Sequence, residues 1–209
     1  MDQNHEVAVT QMRMSVEKLG SSTEKYEDPT LMRFLIARSM DTDKAAKMFV
    51  QWLQWRASFV SLNYIPDSEV QDELNSRKIY LQGQSTKGCP VLLVKIKNHL
   101  PAKDQLQFKK FVVHLLDKAI SSSFRGREIG NEKLIAILDL HQIAYKNIDT
   151  RGLITGFQFL QIVIVCNEEE RRELIRTVGE EALPEGYGGR AKLVALQDFV
   201  ITPSDDKMP

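Results

Sequence analysis

Cysteine is scarce in this chain, with two, Cys89 and Cys166, among 209 residues. Each lies beside a predicted strand and neither belongs to a Cys-x-x-Cys pair. That leaves no disulfide framework, and both read as small buried hydrophobes of a cytosolic protein rather than metal or redox groups. Net charge is also lacking, since Lys+Arg and Asp+Glu number 28 each. Any attraction to nucleic acid or an anionic membrane must therefore come from a local patch, and a nucleic-acid binder is not expected. No apolar run approaches the ~18 residues of a membrane span. The opening Met1-Asp2-Gln3-Asn4-His5-Glu6 has neither the basic nor the apolar block of a secretory signal. The expectation is a cytoplasmic protein with at most peripheral membrane association. No internal repeat or low-complexity segment is present.

Catalytic patterns are missing too. His5, His99, His114 and His141 are scattered, none at metal-ligand spacing with another His, Cys or carboxylate, so no metal or cofactor is expected. Gly83-Gln84-Ser85-Thr86-Lys87-Gly88 fails as a phosphate loop, because Lys87 precedes Gly88 and no Gly-Lys-Ser/Thr opens a helix. Asp139 and His141 stand two residues apart at the carboxyl end of a strand, a common place for binding groups in open α/β sheets. An acid/base pair there has no Gly-x-Ser-x-Gly elbow beside it, and a hydrogen-bonded strand-end pair is the favoured reading. A binding protein is expected rather than an enzyme.

What is present is helical for the first sixty residues and alternating strand and helix thereafter. Val7 to Leu19 reads as a helix stopped by Gly20. Asp28-Pro29 reads as an N-cap with Pro in the first helical position. Asp41 or Thr42 caps a third helix, on which Ala45, Met48, Phe49, Trp52, Trp55 and Phe59 recur at three- and four-residue steps as a packed stripe. From Ile65, a brief helix over 66–75 leads into strands at 78–81 and 90–97 forming a hairpin. A long helix over 103–124 follows, with Leu106, Phe108, Phe111, Val112, Leu115, Leu116 and Ile120 inward. Lys133 to Leu140 is nearly continuous in apolar residues, as expected of a central strand covered on both faces with parallel neighbours. A helix from Asp149 or Thr150 to about Gln161, a strand Ile162 to Val165 and a helix opening at Asn167 complete the pattern. The glutamates at 168–170 suit the first turn of that last helix.

Three segments together resemble the CRAL-TRIO lipid-transfer family. Leu31-Met32-Arg33-Phe34-Leu35-Ile36-Ala37-Arg38, followed by Trp55-Arg56, is similar to its N-terminal helical lobe. Leu134 to Leu140 with Asp139 is similar to its central strand. Leu183-Pro184-Glu185-Gly186-Tyr187-Gly188-Gly189-Arg190 is similar to its closing Leu-Pro-x-x-x-Gly-Gly-basic turn. The likeness is closest to the phosphatidylinositol-transfer branch and runs over roughly residues 10 to 200.

It implies an α/β fold, a mixed, partly parallel sheet flanked by helices behind an all-helical lobe. The expected boundaries are 1–62 for the lobe, 63–202 for the lipid-binding domain and 203–209 for a disordered tail. It implies a non-catalytic protein that binds or transfers a phosphatidylinositol-type phospholipid, with a transient membrane surface as second partner. Arg38 and Arg190 would hold the headgroup phosphate, for which a guanidinium offers fork-shaped donors. Glycines before Arg190 would give that segment freedom. Asp139 and His141, from their place at the strand end rather than from the resemblance, are candidate polar groups of a pocket.

One departure stands beside the match. From Phe157 to Val165 a helical pattern becomes a strand pattern without any Gly, Pro, Asn, Asp or Ser. Returning from a helix axis to a sheet roughly 10 Å away takes about three extended residues at ~3.3 Å each. The resemblance implies that a strand and the gate helix normally present after Gln161 are missing, on the order of 30 residues, about one crossover unit. The sheet would be incomplete, with strained or poorly ordered backbone near Leu160 to Val163. The alternative function is then a shortened variant without transfer activity, an interaction module for a protein or a membrane acting through an open apolar groove.

Overall fold

The computed structural model describes residues 3–102, 104–123, 133–149, 165 and 167–198. They fall into two compact units, residues 3–64 and residues 65–198. The predicted helix after Asp149, most of the strand 162–165, Cys166, the junction at 160–163 and the tail at 203–209 lie outside the described residues.

The first unit is three helices, α1 (Gln3–Lys18), α2 (Asp28–Ala37) and α3 (Thr42–Phe59). Their apolar faces meet in one core of Val9, Met12, Val16, Leu31, Met32, Leu35, Ala45, Ala46 and Phe49. Tyr26 and Phe34 stand edge-on to Phe49, each with ring centroids 5.2 Å away, a geometry favoured by the ring quadrupoles. Gly20 ends α1 at φ 76°, a left-handed conformation that a glycine adopts without steric cost.

Two sequence expectations need correction here. Asp28 is the first residue of α2 rather than its cap, and its carboxylate accepts from Arg13 Nη2 at 2.6 Å. The same guanidinium bonds the Thr23 and Tyr26 carbonyls, so Arg13 ties α1 to the loop before α2. Trp55 does not join the packed stripe, being 42% exposed and stacked on Phe59 at 5.5 Å. At α3's start the expectation holds, with Asp41 accepting from the Lys44 N–H at 3.0 Å.

The second unit opens with a 3₁₀ turn (Asp67–Glu69) and a short helix, α4 (Gln71–Asn75). The hairpin follows as β1 (Ile79–Gln84) and β2 (Pro90–Lys95), antiparallel, with Leu81 opposite Leu92 and a bulge before Gln84. Its turn is closed by Ser85, whose hydroxyl accepts from the Cys89 N–H at 3.0 Å. The Lys87 loop is thus a hairpin turn.

Helix α5 (Gln105–Ser123) carries the chain over to β3 (Ile135–Asp139), which runs parallel to β2 with Val91 opposite Ile135. The mixed, partly parallel sheet is as expected, in the order β1-β2-β3. Among the described residues β2 is the middle strand and β3 the last, with most of the predicted strand 162–165 outside them. Helix α6 (Glu168–Val178) begins with a reciprocal cap, Asn167 accepting from the Glu170 N–H and Glu170 reaching back to the Asn167 N–H. Val178, Ala182 and Leu183 bury Val91, against which Ile135 and Ile137 also pack.

Candidate functional site

Side chains alternate along a strand, so the β2–β3 register divides the sheet into two faces. Val91, Leu93 and Lys95 share one face with Ile135, Ile137 and Asp139; Leu92 and Val94 share the other with Ala136 and Leu138. Helix α6 and the 182–191 passage cover the first face at Ile135 and Ile137. On the second, Ala136 is exposed and Leu138 is 37% exposed.

Helix α5, which packs against β1 and β2, shows the same incompleteness. Phe111 and Ala119 are buried as its inner face, yet Leu106, Val112 and Leu116 are exposed at 54%, 38% and 44%. The expectation that these three point inward is corrected. Among the described residues, α5 thus carries apolar side chains on more than one face, and β3 exposes one of its sides.

The covered face ends in a polar cluster at the carboxyl end of β3. Asp139 Oδ2 accepts from the Tyr187 hydroxyl at 2.5 Å, and Oδ1 accepts from the His141 backbone N–H at 2.9 Å. The strand-end pair therefore exists, but through the backbone of His141, while its exposed imidazole takes no part. Burial first, and the bond to Asp139 second, push the Tyr187 hydroxyl well above the ordinary tyrosine range. Tyr187 is the residue that sequence reading missed, although it stands inside the quoted closing turn.

That turn is set by two glycines. Gly188 is left-handed at φ 94°, and a Cβ on Gly189 would lie 1.9 Å from the Leu183 carbonyl oxygen. The pair serves close packing rather than freedom of movement. Arg190 emerges beyond it, exposed, with Nη2 at 2.8 Å from Glu180 and 3.2 Å from Glu181. Arg38 belongs to the first unit, where it caps α2, its N–H reaching the Phe34 and Leu35 carbonyls. Its guanidinium is exposed and makes no hydrogen bond or ion pair with the described residues.

A second polar cluster had no signal in sequence spacing. Lys78, 4% exposed, donates to Glu73, itself buried, and to His99 Nδ1 at 3.1 Å. His99 Nε2 faces Asp149 Oδ2 at 3.5 Å. The ammonium also lies 5.6 and 5.4 Å from the ring centroids of Phe108 and Phe111. A buried lysine needs such compensation, and here a carboxylate, an imidazole and two aromatic faces supply it. No cluster of three or more metal-binding side chains occurs among the described residues. Nor is any described helix long and apolar enough to cross a membrane.

Among the described residues, a partly parallel sheet with its strand end stitched to a Gly-Gly turn defines a mixed α/β fold, and residues 74–163 match the CRAL/TRIO domain. The resemblance read from the sequence to the CRAL-TRIO lipid-transfer family is borne out over the segment that carries this match. Two phosphatidylinositol/phosphatidylcholine transfer proteins of Arabidopsis thaliana are similar over most of the chain. SFH9 is 25% identical over 158 residues, 69% of this chain and 27% of its own length. SFH13 is 22% identical over 159 residues, 70% of this chain and 25% of its own length. The Sec14 cytosolic factor of Schizosaccharomyces pombe is 34% identical over 59 residues, 28% of this chain and 20% of its own length. The chain spans between a fifth and about a quarter of the length of the curated relatives it matches.

Proposed function

We propose that this protein is a non-catalytic phospholipid carrier of the cytoplasm, binding a phosphatidylinositol-type lipid and exchanging it at membrane surfaces. One observation carries the reading: the residues that match the CRAL/TRIO domain are those that leave apolar faces of α5 and β3 uncovered. Acyl chains would lie against Leu138 and the outer face of α5. Similarity to two proteins named for phosphatidylinositol and phosphatidylcholine transfer supports the ligand class.

Arg38 and Arg190 would take the headgroup phosphate. Arg190 would first release Glu180 and Glu181, but an exposed pair of this kind is worth only about 0–1 kcal/mol, so a bidentate phosphate competes with it. The missing strand and gate helix after Gln161 remain part of the proposal, since that junction lies outside the described residues.

Labelled phosphatidylinositol and phosphatidylcholine in donor vesicles test the assignment. The carrier extracts lipid, and Arg38→Ala with Arg190→Ala lowers extraction of phosphatidylinositol several-fold more than of phosphatidylcholine. Equal loss of both lipids would remove the two arginines from the headgroup site.

The second reading is a shortened variant without transfer activity, working as an interaction module. The glutamate pair on Arg190 and the exposed Leu106, Val112 and Leu116 favour it. A monodisperse monomer that binds no hydrophobic dye would count against it.

A further inference from the structure

Two short turns of the second unit, Ile96–Asn98 and Tyr145–Asn147, lie against each other. Asn147 clasps them: buried at 2% exposure, its amide donates to the Lys97 carbonyl at 3.0 Å and the His99 carbonyl at 2.7 Å. Its oxygen accepts from the Ala144 N–H at 2.9 Å. Lys97 Nζ reaches across to Gln142 Oε1 at 2.9 Å. The backbone closes on itself through Ile143 to Leu140 and Ile148 to Tyr145.

This ordered frame presents apolar side chains to solvent. Tyr145 is 91% exposed, Leu100 and Leu140 are 57% exposed, and Ile143 and Ile148 are 43% and 42% exposed. A loop pair held by a buried asparagine, with its large apolar groups outward, has paid no attention to hiding them from water. Two carboxylates flank the second turn, and both face inward partners: Asp139 accepts from Tyr187 and the His141 N–H, and Asp149 lies 3.5 Å from His99 Nε2. Residues 96–100 and 140–148 contain Lys97 and Lys146 and no Asp or Glu.

We propose that the clasped turns 96–100 and 140–148 are a docking surface for an anionic phospholipid bilayer. Tyr145 would sit at headgroup level, where an amphipathic ring is favoured, with Ile143 and Leu140 reaching the acyl boundary and the two lysines meeting anionic lipid. Because the frame is already ordered, docking costs little conformational entropy. The inference rests on the carrier reading for its purpose, since a carrier must meet the membrane from which it takes lipid.

The test uses the full chain with vesicles of phosphatidylcholine, with and without phosphatidylserine. Hydrogen exchange of the unaltered protein shows slower exchange in 96–100 and 140–148 when phosphatidylserine vesicles are added. Lys97→Gln with Lys146→Gln weakens partitioning into those vesicles about five-fold per lysine. Ile143→Ser with Tyr145→Ser weakens it roughly ten-fold or more on both vesicle types. Vesicle binding with protection elsewhere, or folded variants that partition like the unaltered chain, overturns the proposal. So does concentration-dependent self-association that Tyr145→Ser abolishes, which would assign the surface to a second copy. Co-purifying lipid is measured in parallel: a chain that docks but holds no lipid sinks the carrier reading alone, and one that holds lipid but does not dock sinks this one alone.

Discussion

Gly189 has no room for a side chain, since a Cβ there would lie 1.9 Å from the Leu183 carbonyl oxygen and 2.6 Å from that of Glu180. Both obstacles are backbone, so the turn itself must move. Gly189→Ala is expected to cost at least about 3 kcal/mol in urea unfolding, at the upper end for overpacking. Gly188→Ala meets only the end of Ile175 at 2.7 Å but forces alanine to φ 94°, for about 1–3 kcal/mol. Tyr187→Phe deprives Asp139 Oδ2 of its donor and should cost about 1.5–3 kcal/mol, as for other bonds to charged acceptors. The pH dependence follows from the raised hydroxyl. Its contribution is whole below the ordinary value of 10.0 and is lost as pH rises from there toward the folded-state value. Unfolding at alkaline pH should therefore be steeper in pH for the unaltered chain than for Tyr187→Phe. The sequence could mark the closing turn by its glycines and Arg190, but not that tyrosine and aspartate, 48 residues apart, share a proton contact.

At the scale of elements, α5 is where pattern and structure part. Its apolar residues recur on more than one face, and periodicity alone cannot say which face a sheet takes. Phe111 went inward as read, whereas Leu106, Val112 and Leu116 stand outward. Leu116→Lys should therefore leave the melting temperature nearly unchanged while reducing retained lipid several-fold. Phe111→Ala should destabilise by about 3–5 kcal/mol. The hairpin, the parallel pairing of β3 and the start of α6 at Asn167 were legible because turn residues, β-branched runs and first-turn glutamates act locally. That β3 stands last among the described strands was not, since a continuous apolar run specifies two apolar faces but not what covers them. The Glu73–Lys78–His99 cluster joins α4, the start of β1 and the turn before α5, with no spacing to announce it. Burial first and the Lys78 charge second hold His99 below its ordinary value of 6.5. A depressed histidine contributes stability above that value, lost as pH falls and the unfolded chain takes up the proton. Replacement by glutamine should flatten the fall in stability below about pH 6.5, as followed by thermal unfolding.

At the scale of the whole molecule, the proposed carrier requires a ligand that completes the core, and apolar side chains of α5 and β3 are exposed among the described residues. Composition and spacing pointed to a mixed α/β domain with apolar helices and were silent on the ligand, which the family resemblance alone suggested. The most direct measurement is mass spectrometry of lipid extracted from the purified full chain, with Leu116→Lys as the comparison. A phospholipid in amounts comparable to the protein, phosphatidylinositol prominent among its species and depleted in the variant, is the result expected. A well-folded chain that carries no phospholipid and acquires none from vesicles would contradict it.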